Sequence, residues 1–536
     1  MPDLTVGLAP RRLAAAERPR LASRRALWAA GHVDRTIALG LAAVALALDL
    51  FRLPGTSLWA DELFSVHLVT RPWPLFWEFL SRYEPNMALY YVLLRGWLGL
   101  TGLFGIVPDE LVVRAPSIFF AVLSVLVVFW IGRRIAGRTV GILGALLFAL
   151  NFIQLTAARE ARSYSLELFL LCLGWYAFFA IVSADHPRRR VYVAYIAAMA
   201  LAIYAHLFSA LVVASQVMAF AALVVLPSES RERLRRSLGG FALSVAAIGG
   251  VAIPVAAYAL RHGSTNPHIP PAGLLEVGRL FWNIAGHNLV YGSLLGAAVL
   301  IAVGFVAFTY RKTRSRMLLW PMVALGSWLT IPVLLSYAAT QPRLNLHLFA
   351  WGYLVVVIPA LCLLAAMGIV AIRRSFLRQA LTIGLVAAAA LATPVFSSPP
   401  DQDLRTAARW IEVHYQTGDG LIATSWSSWL GMSYYAELDG APSDLLTGSP
   451  APWSWTAGGA TPLDQRAAIQ YASARHRVFL VDSLLEGDPP ETKARAWLAQ
   501  AWFDKHYTLE AETAVPSGLG LVRVRLYESA AQEEED

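Results

Sequence analysis

Two adjacent acids, Asp61 and Glu62, open the stretch Ser57–Tyr91, which follows the apolar run 37–53 almost at once; Glu84 and Asn86 stand just before the next apolar segment. Acids at a membrane boundary are costly unless they face water, a cation or a reacting group. The pair therefore reads as a base for an incoming hydroxyl, as cation ligands, or simply as the cap of a loop helix. A second cluster runs Arg159-Glu160-Ala161-Arg162-Ser163-Tyr164. Two guanidiniums three residues apart offer paired donors to phosphate oxygens and keep their charge near lipid; they read equally as anchors that snorkel to the interface. Gln341–His347 brings Arg343, Asn345 and His347, and Arg114 and His206 stand singly. His206 also suits a loop tip or helix cap, and Tyr90 and Tyr91 suit an interfacial aromatic belt. A carboxylate base, a phosphate clamp and neighbouring rings would together displace a phosphate leaving group.

The elements that must hold these residues are mostly membrane helices. The chain has 536 residues, 57% of them hydrophobic and 15% charged, against about 25% charged in soluble domains, and its mean hydropathy is +0.53. Eleven apolar runs, from 37–53 to 379–396, are candidate spans, each needing about 20 residues. Arginine clusters such as Arg133, Arg134 and Arg138, or Arg188–Arg190, fall in alternate loops. That places the N-terminus and those loops in the cytoplasm and the C-terminus outside. The clusters that could do chemistry then map to the outer face. Met87–Leu103 carries Arg95 near its middle and is short; it reads as a helix in, or re-entering, the outer interface.

Residues 1–36 read as a basic cytoplasmic arm without a cleavage site, 37–397 as the membrane domain with a first outer loop at 54–112, and 398–536 as an extracytoplasmic domain. From Ser398 onward there are 10 Lys and Arg against 20 Asp and Glu, so the net charge of +8 belongs to the membrane part and does not indicate nucleic acid. Cys172 and Cys362 lie in apolar runs, which excludes a disulfide framework. In the tail, Leu404–Tyr415 and Lys493–Phe503 read as helices, and Leu421–Thr424, Val478–Val481 and Leu521–Leu526 as strands. The expected fold is an all-α polytopic domain followed by a small α/β domain. Glu533–Asp536 reads as a frayed acidic end. The membrane part shows no internal repeat, which argues against an inverted-repeat transporter.

Four motifs in order, W-A-D-E at Trp59–Glu62, E-P-N-M-A-L-Y-Y at Glu84–Tyr91, V-V-R-A-P at Val112–Pro116 and A-A-R-E-A-R-S-Y-S-L at Ala157–Leu166, resemble the GT-C superfamily of integral membrane glycosyltransferases. The nearest branch is that of protein O-mannosyltransferases and lipid A aminoarabinose transferases, glycosyltransferase family 39. The motifs cover residues 35 to 185, and the hydropathy pattern continues to 396. The resemblance implies a polyprenyl-phosphate sugar as donor, a bacterial inner-membrane location, and a glycan, lipid or protein acceptor. The family's acid falls on Asp61 and its Arg at the start of the following span on Arg114. Its D-x-H-P-P-L-Y-Y pattern falls on Glu84–Tyr91 with Glu for Asp, and Asn86, Met87 and Ala88 for His-Pro-Pro. An Arg-Tyr pair common in relatives meets Gly352-Tyr353 here, leaving Arg343 or His347 for that task.

In such a transfer a phosphodiester leaves as a stable anion, so one carboxylate base suffices where a glycosidase needs two. Asp61 is the expected base, with Glu62 orienting it or helping to hold a cation. Arg159, Arg162, Tyr164 and Arg114 are the expected phosphate donors. Glu84, Asn86, Tyr90, His206, Arg343 and His347 are candidate substrate contacts, and direct attack inverts the anomeric carbon. No metal is obligatory in this scheme, although a divalent cation bridging Asp61, Glu62 and phosphate is allowed. Two other readings are an en bloc oligosaccharide transferase or ligase, and a transporter or flippase of lipid-linked sugars. A transporter should carry charges at mid-bilayer depth, whereas these gather at the ends of the runs.

Overall fold

The computed structural model describes residues 24–226, 231–262, 273–313, 318–344, 346–393, 400–438, 445–484, 488 and 490–529. Most of the basic arm, Asn345 and the acidic end Glu533–Asp536 lie outside these residues. The chain forms two compact units: residues up to Phe51 together with Ser117–Phe396, and Arg52–Pro116 together with Ser397–Asp536.

The first unit is helical. Among the described residues, six helices are long and apolar enough to cross a membrane: Glu110–Ala136, which enters this unit at Ser117, Tyr164–Ser183, Arg231–Ala259, Leu289–Lys312, Leu319–Ala339 and Tyr353–Ala371. The chain is a multi-pass membrane protein. Two further apolar helices, Ser209–Val225 and Ser375–Leu391, have 17 residues each, the lower end of what a crossing needs. The expected single span 140–157 is instead two helices, Arg138–Ala149 and Phe152–Ala158, bent by 65°. The break has a local cause. Asn151 caps the second helix, its side-chain oxygen accepting from the amides of Ile153 and Gln154 at 3.1 and 3.4 Å, as Asn does well at an N-cap. Its Nδ2 donates to the Ile284 carbonyl at 3.1 Å.

Packing in this unit relies on small residues and flat rings. A side chain on Gly368 would run into the Ala298 carbonyl, so that glycine lets two helices approach closely. Trp175 and Trp328 stack at 4.6 Å and 10°. Buried Asp34 binds Arg138 at 2.6 Å and also pairs with Arg133, so two arginines expected in a cytoplasmic loop are held to the first helix, Arg24–Leu50.

The second unit joins the loop after the first helix to the C-terminal residues. The loop supplies helices Ala60–Thr70, Trp73–Arg82 and Ala88–Gly102. The last, at 15 residues, is where Met87–Leu103 was expected to lie in the interface; Arg95 donates to the Val69 and Arg71 carbonyls at 2.5 and 2.6 Å and covers the Trp73 ring at 4.1 Å. The C-terminal part has strands β1 (Gly420–Ala423), the short pair β2 (Trp453–Ser454) and β3 (Gly459–Ala460), β4 (Arg477–Asp482), β5 (Tyr507–Ser517) and β6 (Gly520–Ser529). The main sheet runs β1-β4-β6-β5, with β1 and β4 parallel and the other pairs antiparallel.

Helices Leu404–His414 and Pro490–His506 and strands β1, β4 and β6 stand where the sequence pattern places them, within a few residues. Five elements were not read: β2, β3, β5 and helices Trp426–Leu438 and Gln465–Ser473. β5 is largely exposed and carries Glu510 and Glu512, as an edge strand often does, and helix Trp426–Leu438 buries small residues, Ser427, Ser428 and Gly431, beside its aromatic ones, leaving no apolar stripe to read.

Candidate active site

Asp61 and Glu62 open helix Ala60–Thr70 and part ways there. Glu62 is fully buried. Its Oε1 accepts from Arg114 Nε at 2.7 Å, and its Oε2 from Arg114 Nη2 at 2.6 Å and the Trp59 amide at 3.3 Å. Arg114 is as thoroughly engaged: Nη1 donates to the Thr56 carbonyl at 2.8 Å and Nη2 to that of Ser57 at 2.9 Å. A forked Arg–carboxylate pair with both oxygens bonded is the geometry that justifies burying two charges. The pair fixes the loop to the start of helix Glu110–Ala136, so Arg114 binds protein where a phosphate was expected, and Glu62, expected to orient Asp61 or help hold a cation, binds Arg114 and the Trp59 amide on Asp61's own turn.

Asp61 is half-buried on the same first turn, and Phe64, one turn on, is the other half-buried residue of this face. Nearby, Glu84 and Asn86 are half-buried and Tyr90 is fully buried. Met87, between them and the helix, has φ 70°, a left-handed conformation that is uncommon outside glycine. Tyr90 belongs to the packing of this unit.

The arginine cluster builds a second corner, in the first unit. Arg159 ends helix Phe152–Ala158, and buried Arg162 and Ser163 lead into helix Tyr164–Ser183. The Ser117 hydroxyl donates to the Arg162 carbonyl at 3.2 Å. His206, 2% exposed between helices Arg189–Ala205 and Ser209–Val225, packs against Tyr353 at 4.9 Å and Tyr164 at 5.7 Å. Its Nδ1 accepts from the Phe208 amide at 3.2 Å, so in the neutral ring the proton sits on Nε2. Ser209 Oγ donates to buried Glu167 at 2.7 Å. Among the described residues, His206 Nε2, Ser163 Oγ and Glu167 Oε2 are buried without a hydrogen-bond partner, and so is Oδ2 of Asp49 at the end of the first helix.

Glu167 and Asp49 were missed in the sequence. The signal was there: an acid inside an apolar run is a functional candidate by default. Arg343 is exposed, and His347 is half-buried with φ 49°; it is Tyr353, following Gly352, that reaches His206.

Tyr353 begins a five-residue 3₁₀ helix ending at Val357. Val357 lines an apolar cleft of 710 Å³, with Leu280, Trp282, Leu295, Val333 and Leu361 on the surrounding helices. The polar corner and the cleft thus meet along one short helix, about 8 Å long at 2 Å per residue. Among the described residues, no three of His, Cys, Asp and Glu gather as metal ligands.

No family model and no curated protein matches the chain. Solved structures do. ArnT from Cupriavidus metallidurans in the apo state aligns with a TM-score of 0.54 at 16% identity over 93% of this chain and 98% of that one. The same protein bound to undecaprenyl phosphate aligns at 0.51 and 14% over 92% and 97%. The archaeal oligosaccharyltransferase AglB from Archaeoglobus fulgidus, in complex with an inhibitory peptide and a dolichol-phosphate, aligns at 0.51 and 12% over 95% and 75%. With helices, sheet and both corners in view, the chain has the fold of the GT-C membrane glycosyltransferases.

Proposed function

We propose that the protein is a membrane glycosyltransferase that moves a sugar from a polyprenyl-phosphate donor to an acceptor hydroxyl on the extracytoplasmic face, with inversion. The observation that carries the donor assignment is the junction along Tyr353–Val357. At one end stand the His206 Nε2–H, Ser163 and the Arg159–Arg162 segment; at the other is the apolar cleft. A lipid phosphate needs both kinds of surface within a headgroup's length. Two of the similar structures hold lipid phosphates, one undecaprenyl phosphate and one a dolichol-phosphate, which supports the same class here.

In this reading Asp61 takes the proton of the acceptor hydroxyl as its oxygen attacks the sugar C1. The C1–O bond to phosphate breaks, and the departing electron pair stays on the phosphate. Arg159, Arg162 and Tyr164 steady that charge, where preorganised donors are worth most. Glu62 and Arg114 position Asp61's helix; Glu84 and Asn86 line the acceptor side of the second unit, and Arg343 and His347 the outer rim of the first. A divalent cation, if used, is held by Asp61 and the donor phosphate.

The test is direct. Purified protein in detergent is incubated with a panel of radiolabelled undecaprenyl- and decaprenyl-phosphate sugars and membrane-derived acceptors. Transfer of a single sugar is expected with one or more donors. Movement of whole oligosaccharides from a lipid-linked donor would favour en bloc transfer, and translocation of intact donor across a vesicle bilayer without sugar transfer would overturn the reading in favour of a flippase.

A further inference from the structure

The helix that carries Asp61 holds its N-cap amide, Trp59, through Glu62, but its own residues supply no side-chain acceptor for the Ala60 amide. The first amides of a helix have no partner inside it, and Ser, Thr, Asp or Asn before the first turn usually supplies one. Here the preceding residue is Trp59, whose side chain makes no cap hydrogen bond. The acceptor for the Ala60 amide, and one for the Leu58 amide just before the helix, come from the C-terminal residues of the same unit. Gln402 Oε1 accepts from the Ala60 amide at 2.9 Å, across 342 positions of sequence, and Tyr435 Oη accepts from the Leu58 amide at 2.8 Å. All four residues are buried.

These two contacts are embedded in a larger reciprocal hold. Tyr435 Oη also lies 3.2 Å from Ser57 Oγ and 3.3 Å from Glu110 Oε1. Ser57 Oγ accepts in turn from the amides of Leu404 and Arg405 at 3.1 and 3.2 Å, so the loop caps the C-terminal helix while the C-terminal residues cap the loop helix. Arg405 Nη1 donates to both oxygens of Glu110 at 2.8 Å. Gln402 itself is anchored: its Nε2 donates to the Ser483 carbonyl at 3.4 Å, and its neighbours Asp401 and Asp403 are tied to the turn between β5 and β6 through Leu519 N and Ser517 Oγ at 3.0 and 2.9 Å. A residue just before helix Leu404–His414, tied to the β5–β6 turn, thus sets the first turn of the helix on which Asp61 is the second residue.

Resting on the transferase reading above, the structure assigns Gln402 and Tyr435 as positioning residues for Asp61: the C-terminal domain completes the N-terminal capping of the catalytic helix and is a necessary part of the active unit. Neither residue touches the reacting atoms in this scheme. Their effect runs through the place of one backbone turn, and misplacing a reacting group by about 1 Å costs up to about 100-fold in rate.

The full-length protein in detergent tests this with two readouts. In hydrogen exchange, Gln402→Leu should speed exchange of the Ala60 amide about tenfold, the loss of one buried hydrogen bond, and Tyr435→Phe should do the same at Leu58. In transfer assays, both variants should lower kcat about 10- to 100-fold with donor KM within about twofold of wild type. Gln402→Glu keeps an acceptor oxygen for Ala60 and, with its buried carboxyl protonated so that it still donates to the Ser483 carbonyl, should restore slow exchange at residue 60, a rescue that general loosening of the fold would not give. Trp497→Ala, at a residue 68% exposed, is the control with normal values. Unchanged exchange at residues 58 and 60, or a Gln402→Leu enzyme with wild-type kcat, overturns the assignment. Accelerated exchange in a protein whose wild type never transfers sugar supports the hold while overturning the transferase reading.

Discussion

The two corners of the molecule treat polar groups in opposite ways. Around Asp61 the buried groups are answered by protein: Glu62 by Arg114 and the Trp59 amide, the Leu58 and Ala60 amides by Tyr435 and Gln402, Glu110 by Arg405. Around Arg162 they are left open, with His206 Nε2, Ser163 Oγ and Glu167 Oε2 buried and without partner among the described residues. A buried polar atom without a partner costs about 1 to 3 kcal/mol. Holding several of them in one corner makes sense where a ligand completes the bonds. A satisfied network, by contrast, rigidifies. In the transferase reading proposed above, the first corner would hold the base and the second would receive the donor phosphate.

The comparison breaks most visibly at Asp61. Asp61→Asn keeps the shape and removes the proton acceptor, so transfer should fall by about 100- to 10,000-fold while the half-saturating donor concentration stays put. Steady-state kinetics with a responsive donor check this. Turnover by the Asn variant equal to wild type would remove Asp61 as the base. Next comes the buried pair beside it. Glu62→Gln leaves the Arg114 guanidinium buried beside a neutral amide, which should cost about 3 to 5 kcal/mol of stability. The double variant Glu62→Gln, Arg114→Met should recover much of it in a thermal melt. A single variant that melts like wild type would mean the pair is not the fastener described here.

Much of the fold was legible in the sequence because hydropathy reports burial in lipid and alternation reports burial in a sheet. Strands β1, β4 and β6 stand where apolar runs lay between turn residues. The arginine cluster was legible as well, because charge is scarce in apolar stretches. The pairing of Arg114 with Glu62 was not, since 52 positions separate them and the same guanidinium suits phosphate or carboxylate. Gln402 and Tyr435 gave no signal at all. A cap supplied from hundreds of residues away leaves only an absence behind, a Trp where a capping residue would stand. The bend at Asn151 is an intermediate case: the Asn was visible, but an unbroken apolar run hid the break.

A third way to sharpen the contrast uses pH on the satisfied side. His67, on the same helix as Asp61, binds the Leu430 carbonyl through Nε2 at 2.9 Å. Burial first, and then the charge of Arg71, push its pKa down to about 4. An unfolded imidazole takes up its proton near 6.5. Between these values the unfolded state binds more protons, so the stability His67 contributes is complete above about 6.5 and is lost as the pH falls toward 4, roughly 3 kcal/mol in all. Denaturation of the wild type between pH 7 and 4.5 should show this slope, and His67→Gln should flatten it. An equal slope in both would place the pH dependence elsewhere.

The smallest effect is expected on the open side, at His206. Its Nδ1 is occupied by the Phe208 amide, so the ring offers one donor, Nε2–H, into a corner shared with Tyr353 and Tyr164. If that donor meets the donor phosphate, His206→Phe, which keeps a ring in the packed space, removes one hydrogen bond to an anion. The donor KM should rise about tenfold, with kcat nearly unchanged if the bond is equally strong in ground and transition states. Melting should stay near wild type, because the desolvation cost removed with Nε2–H is offset by the Phe208 amide, which loses its Nδ1 acceptor. The donor KM is what separates a binding group from a structural one: a histidine kept for packing and caps would leave it where it was.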